Sequence, residues 1–236
     1  MIGTYKPQRN HTQYEIPKER ILVLMPIYKW IPSKTFSSFW HLMYYLNKEY
    51  IVDMQFVENT LIGMARDLLF EKALVNLANK HHKYVLWLDS DHIFKPEQFI
   101  TLKKTMDKYQ QKMVSALYFS RKDGDIKPIM LMESKTKGMY NTIAEIPENT
   151  LMEVDACGFG MLLMKPKVLR DIATKYKKPF THDNLDNLGE DVLFFKRAEE
   201  FGHKPIVDTS VCIRHMGGSI GIEEYKMHEE LHKEMK

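Results

Sequence analysis

Strand-sized apolar runs alternate with helix-sized amphipathic stretches through the first half of the chain, and no other feature restricts its fold as much. Ile21-Leu22-Val23-Leu24-Met25 is apolar at consecutive positions and stops at Pro26, the pattern of a strand buried on both faces of a parallel sheet. Tyr84-Val85-Leu86-Trp87-Leu88 repeats it, and Ile51 to Val57 and Met113 to Tyr118 supply two more strands. Between them, Phe36 to Leu46 has helical spacing, with Ser33 or Thr35 as its cap. Thr60 to Ala78 predicts a long helix, and Pro96 to Tyr109 a third with proline in its first turn. Strands separated by helices of this size build βαβ units on a mainly parallel sheet.

After Tyr118 the rhythm shortens. Ile126 to Met132, Met139 to Ile146, Leu151 to Asp155 and Gly160 to Met164 predict short strands and a more antiparallel part. A helix begins near Pro166, Tyr176 to Leu188 is a polar loop, and Gly189 to Phe201 is helical. Pro205 to Asp208 and Val211 to Arg214 return to strand, and Glu223 to Lys236 is a charged helix. The 236 residues contain no linker, repeat or low-complexity stretch, so a single α/β domain is expected.

Charge excludes little by itself. Thirty-four Lys and Arg against 31 Asp and Glu leave a formal +3, too balanced to announce a nucleic-acid binder. No apolar run approaches the ~20 residues of a membrane span, and Met1 to Arg20 lacks the apolar segment of a secretory signal. Two cysteines form no disulfide framework, so a reducing, cytoplasmic setting is expected. Cys157 and Cys212, in apolar surroundings, read as small core residues, and His81-His82 as an exposed link.

The sharpest chemical feature is Asp89-Ser90-Asp91-His92, directly after the Tyr84 to Leu88 strand. Open α/β sheets bind ligands at that end of a strand, and residues two apart in an extended segment point the same way. Paired carboxylates repel unless a cation joins them; oxygen ligands favour Mg²⁺ or Mn²⁺, and an added imidazole favours Mn²⁺. A solvated loop capping the next helix is the plainer alternative. Glu190 and Asp191 open a helix, where the dipole favours acids and where one carboxylate is also placed to act as a base. His215 ends a strand before Gly217-Gly218. Gly158-Phe159-Gly160 suits either close backbone approach to a ligand or an ordinary turn. Arg66, on an apolar helix, suits either a phosphate or a pairing with Asp67 or Glu58.

In order along the chain, these pieces resemble a GT-A glycosyltransferase of the broad family-2-like group, small phage and bacterial members included. Pro26-Ile27-Tyr28 resembles the end of that fold's first nucleotide-contacting strand, and Ala65-Arg66-Asp67 its "ARN"-type helix, with Asp67 in place of the usual Asn. Asp89-Ser90-Asp91 matches D-x-D. Asp155 to Leu163 resembles the segment beside the donor sugar, Gly189-Glu190-Asp191 the E-D helix, and His215 a late metal-binding histidine. The resemblance spans about residues 20 to 218 and implies a GT-A fold, a mainly parallel central sheet flanked by helices with a smaller antiparallel part. It divides the chain into a nucleotide-binding half over about 20–120, an acceptor and catalytic half over 121–218, and a C-terminal helix over 222–236.

The same resemblance implies a metal-dependent transfer of a sugar from a nucleotide-diphosphate donor, UDP-linked by expectation, to an acceptor hydroxyl. Asp91 and His215 then hold Mn²⁺ or Mg²⁺, with Asp89 on the metal or the ribose. Pro26, Tyr28, Arg66, Ser90, Gly158, Phe159 and Gly160 contact the nucleotide sugar. Asp191, beside Glu190, is the general base of an inverting reaction, although some members with a late histidine retain configuration. Polysaccharide, protein and modified DNA are all acceptors of such enzymes, and a homo-oligomer is compatible. Two alternatives compete: a haloacid-dehalogenase-like phosphatase with Asp89 as nucleophile, and a non-catalytic nucleotide- or glycan-binding module.

Overall fold

The structure is a computed structural model, and it describes residues 18–122, 125–136, 138–143, 145–181, 188–216 and 225–226. The first half runs β1 (Arg20–Ile27), α1 (Ser33–Glu49), β2 (Ile51–Glu58), α2 (Ile62–Asn79), β3 (His82–Leu88), β4 (His92–Ile93), α3 (Pro96–Lys108) and β5 (Met113–Leu117). Shorter elements follow: β6 (Phe119–Lys122), β7 (Asp125–Pro128), β8 (Met130–Glu133), β9 (Tyr140–Thr142), β10 (Leu151–Glu153), β11 (Ala156–Cys157) and β12 (Met161–Met164). α4 (Pro166–Ala173), α5 (Glu190–Glu199), β13 (Ile206–Cys212) and β14 (Arg214–His215) complete the order.

Seven strands form one mixed sheet in the order β10-β13-β5-β12-β3-β1-β2. β1 is parallel to β2 and β3, and β13 is parallel to β5. β12 is antiparallel to both β3 and β5, and β10 is antiparallel to β13. The unbroken apolar runs are explained by burial on both faces. Ile21, Val23 and Met25 pack with α1 and α3, while Leu22 and Leu24 pack with α2, α4 and α5, as a side-chain period of two requires.

Several boundaries differ from expectation for local reasons. α1 begins at Ser33 and is preceded by Pro32 with no side-chain cap, so neither Ser33 nor Thr35 caps it. Thr35 is buried, and Ser38 Oγ instead accepts the Phe94 amide at 3.1 Å, tying α1 to the segment after β4. The strand expected over Ile126 to Met132 is split, because β7 pairs with β6 whereas β8 pairs with β9 and β11. Among the described residues of Met139 to Ile146, only Tyr140–Thr142 is strand. His82 is buried at the start of β3, 2.9 Å from Asp53 Oδ2, and not in an exposed link. The helix expected over 222–236 lies, apart from Tyr225 and Lys226, outside the described residues. No helix among the described residues is long and apolar enough to cross a membrane.

Candidate functional site

Two side-chain clusters form at the carboxyl edge of the sheet. β1 and β3 run in parallel with Leu24 opposite Trp87. Both therefore end on the same edge, and Asp89 follows β3 with its amide donating to Gly160 O at 3.2 Å.

The first cluster is built by a two-residue ladder. β4 and β14 pair antiparallel with His92 opposite His215, so the two side chains share a face and their ring centroids lie 4.8 Å apart. The Met216 amide donates to Asp91 O at 2.7 Å, which locks the chain across this crossing. Asp91 Oδ2 is 3.1 Å from His215 Nε2, and Asp91 Oδ1 is 2.8 Å from His92 Nδ1, a close approach misaligned for a hydrogen bond. Ligand atoms from Asp91, His92 and His215 lie within 4.8 Å of one another. Burial opposes ionisation of Asp91, yet His215 and His92 hold its carboxyl well below the usual range. His215 is shifted the other way, upward, chiefly by its hydrogen bond with Asp91.

This donor set suits a divalent ion of borderline softness. Both ring nitrogens of His92 and Nδ1 of His215 are buried without a hydrogen-bond partner among the described residues, an arrangement that is costly unless something else engages them.

The Gly158-Phe159-Gly160 segment makes room for this cluster. A Cβ on Gly158 would fall 1.6 Å from the Tyr118 hydroxyl, and one on Gly160 would fall 2.9 Å from His92 Nε2. Tyr118 stands edge-on to His92 at 4.5 Å, so the backbone approaches closely because the His92 ring and its Tyr118 support need the space. Gly160→Ala is expected to push His92 off its position, weakening Mn²⁺ binding about 10–100-fold while costing about 1–3 kcal/mol of stability. Calorimetric titration beside a denaturation curve checks this, and unchanged Mn²⁺ affinity would remove His92 from the ligand set.

The second cluster is centred on Arg66, which α2 carries almost fully buried at 3% exposure. Nη2 donates to both oxygens of Asp89, at 2.9 and 3.2 Å. Nη1 donates to Glu190 Oε1 at 2.9 Å and to Asp191 Oδ1. The guanidinium lies 4.6 Å over the Phe159 ring, which is packed edge-on to Trp87 and Phe194. Three carboxylates share one cation, so the group is net negative. Burial, reinforced by Glu190 and Asp89 and opposed by Arg66, pushes Asp191 up to about 7.

Several expected placements change. Asp89 lies outside the group of Asp91, His92 and His215, whose ligand atoms are close enough to hold a metal ion, and it pairs with Arg66. Arg66 pairs with neither Asp67 nor Glu58. Adjacent residues on a helix do not face each other, and Asp67 instead accepts the Phe180 amide at 2.8 Å and the Thr181 hydroxyl at 2.6 Å. Phe159 is fully buried, and its side chain forms the floor beneath Arg66. Pro26 is buried in β1, Tyr28 is exposed just beyond it, and Ser90 is a half-buried turn residue. Cys157 is buried, its thiol pushed up by burial, and carries no nucleophilic chemistry.

The signal for His92 was its position beside Asp91, read together with a histidine able to pair opposite it. Arg66's partners are 23, 124 and 125 residues away, and no local pattern announces such a clamp.

No protein-family model matches the sequence, and no curated protein matches it. Among solved structures the chain is similar to A197 from STIV, at 17% identity and a TM-score of 0.53, over 83% of this chain and 85% of that one. It is also similar to GalNAc-T7 with UDP, GalNAc and Mn²⁺, at 9% identity and a TM-score of 0.47, over 84% of this chain but only 43% of that one. The chain thus spans less than half of the GalNAc-T7 chain. The likeness to A197 is one of fold, the mixed α/β architecture described above.

Proposed function

We propose that this protein is a metal-dependent glycosyltransferase that moves a sugar from a nucleotide-diphosphate donor, UDP-linked in the simplest case, to an acceptor hydroxyl. The observation that carries this reading is the meeting of Asp91, His92 and His215 beside a buried Arg66–carboxylate cluster, at the sheet edge where α/β folds bind ligands. The ordered sequence motifs support it. Asp91, His92 and His215 would hold Mn²⁺ or Mg²⁺, which would supply charge neutralisation for the departing nucleoside diphosphate when bound.

The chain's own residues divide the remaining work. Asp191 takes the proton from the acceptor hydroxyl, and a carboxyl raised to about 7 is matched to that task near neutral pH. Arg66 fixes the orientation of Asp191 and Glu190 and keeps their negative charge tolerable in a buried place. Asp89 completes that clamp. The phosphatase alternative is disfavoured by the same contact, because Arg66 donates to both Asp89 oxygens and lowers their nucleophilicity. Inversion at the anomeric carbon follows if Asp191 acts as the base.

The test is incubation with a panel of nucleotide sugars and Mn²⁺, with released nucleotide as the readout. Slow donor hydrolysis supports the transferase. Phosphate release from a simple phosphomonoester supports the phosphatase, and neither activity leaves a binding module. Asp191→Asn is expected to lower turnover about 10²–10⁴-fold with donor binding kept. In the native protein the rate should rise with pH through about 7 as Asp191 loses its proton, and that limb should vanish in the variant. A variant with native turnover would remove Asp191 from the chemistry.

A further inference from the structure

We propose that the outer face of α1, with the loop before it, is a docking surface for an anionic phospholipid membrane. α1 buries Phe39, Leu42, Met43 and Leu46 against the sheet. On its other side Phe36, Trp40 and Tyr44 recur every four residues, which stacks them in one row. These three are 54%, 62% and 60% exposed, and Trp30, between β1 and α1, is 71% exposed. A surface helix of a globular domain ordinarily turns charged and polar side chains outward, so an aromatic row there has no role in the core. A further exposed apolar residue lies near the end of β2. The Asn59 amide bonds Ile27 O at 3.2 Å, joining the ends of β2 and β1, and Leu61 just beyond is 70% exposed.

The charge beside this row points to the partner. A groove between α1 and the segment leading into α3 is lined by Lys34, His41, Lys48 and Lys95, with no carboxylate in its lining. The Lys48 ammonium lies 4.2 Å over the Tyr44 ring, so cation and aromatic occupy one surface. Aromatic rings at headgroup level with lysines among them are the means by which interfacial helices hold anionic bilayers. The shape discriminates against the other anionic or planar partners. Sugars and single-stranded bases are gripped in clefts or stacked along recessed channels, whereas Phe36, Trp40 and Trp30 are more than half exposed and lie outside the groove lining, where a deformable bilayer reaches them. The proposal stands independently of the transfer reading, and its failure would leave that reading untouched.

The experiment floats the full chain with vesicles of phosphatidylcholine alone and with vesicles rich in phosphatidylglycerol. Three tryptophans supply a second readout: Trp87 is fully buried in the sheet, while Trp30 and Trp40 face outward. Expected are flotation with the anionic vesicles that weakens as salt is raised, a blue shift of the emission, and quenching by brominated lipid. Trp40→Ala, at an exposed position, should lower partitioning about tenfold. Lys34→Glu with Lys48→Glu should abolish the preference for phosphatidylglycerol. Absence of flotation would overturn the proposal, as would variants that bind like the native chain. So would saturable binding of a soluble oligosaccharide or single-stranded nucleic acid that depends on Trp40 while vesicles stay unbound.

Discussion

Arg66→Met is expected to lower the unfolding free energy by about 3–5 kcal/mol at neutral pH, the range for removing one side of a buried ion pair. The substitution keeps most of the side-chain volume over Phe159, so the loss is electrostatic and not a cavity. What remains are Asp89, Glu190 and Asp191 facing one another with no cation among them. Their mutual repulsion would raise their carboxyl pKa values above those of the unfolded chain. A raised carboxyl makes the folded state bind more protons, so the penalty grows with pH until the raised pKa values are passed and shrinks as the carboxyls protonate on acidification. Urea denaturation at pH 7.5 and pH 5 reads this directly, and a pH-independent deficit would show that packing is responsible. Adding Asp191→Asn to Arg66→Met should recover part of the loss, because it removes one of the stranded charges. Arg66→Lys should fall in between, since a single ammonium cannot fork to three carboxylates.

Asp91→Ala is expected to reduce Mn²⁺ affinity by at least 100-fold and to abolish metal-dependent transfer, the largest functional effect of any single change. Asp91 is the only carboxylate in the three-residue group, and it touches both imidazoles. Native binding should itself depend on pH. His215 must lose its proton to ligate, and its hydrogen bond with Asp91 raises its pKa above the ordinary histidine value. Affinity therefore rises with pH, about tenfold per unit below that pKa, and levels off above it. The same shift bears on the metal-free fold with the opposite sign. The Asp91–His215 pair stabilises below the ordinary histidine value and loses that contribution as pH rises through the raised pKa. Mn²⁺ titrations at pH 6 and pH 8, with thermal melts of the metal-free protein, measure both. Undiminished metal binding in Asp91→Ala would sink the assignment.

The legible parts of the fold were those in which one physical rule acts over consecutive residues. The runs Ile21 to Met25 and Tyr84 to Leu88 are apolar at every position because both sheet faces are covered and each strand has a neighbour on either side. Phe39, Leu42, Met43 and Leu46 have helical spacing because one side of α1 is buried. The mispredicted boundaries are those set by distant partners. His82 is buried because Asp53 awaits it on β2, and the break between β7 and β8 exists because the two strands pair with different neighbours. Neither cause is present in the local sequence.

The candidate site divides along the same line. The sequence by itself determined which carboxylates and histidines exist, and that Asp89 to His92 follow a buried strand at the end where open α/β sheets bind ligands. It also determined that Glu190 and Asp191 open a helix, because dipole and cap preferences act within a few residues. Only the tertiary structure decided how these groups are shared out. The pairing of β4 with β14 set His92 against His215 and placed both on Asp91. The burial of α2 brought Arg66 to Asp89, Glu190 and Asp191. A side chain's partner is chosen by whichever opposite charge the fold buries within about 3 Å of it. That choice is made by strand order and helix packing, which bring together residues more than a hundred positions apart.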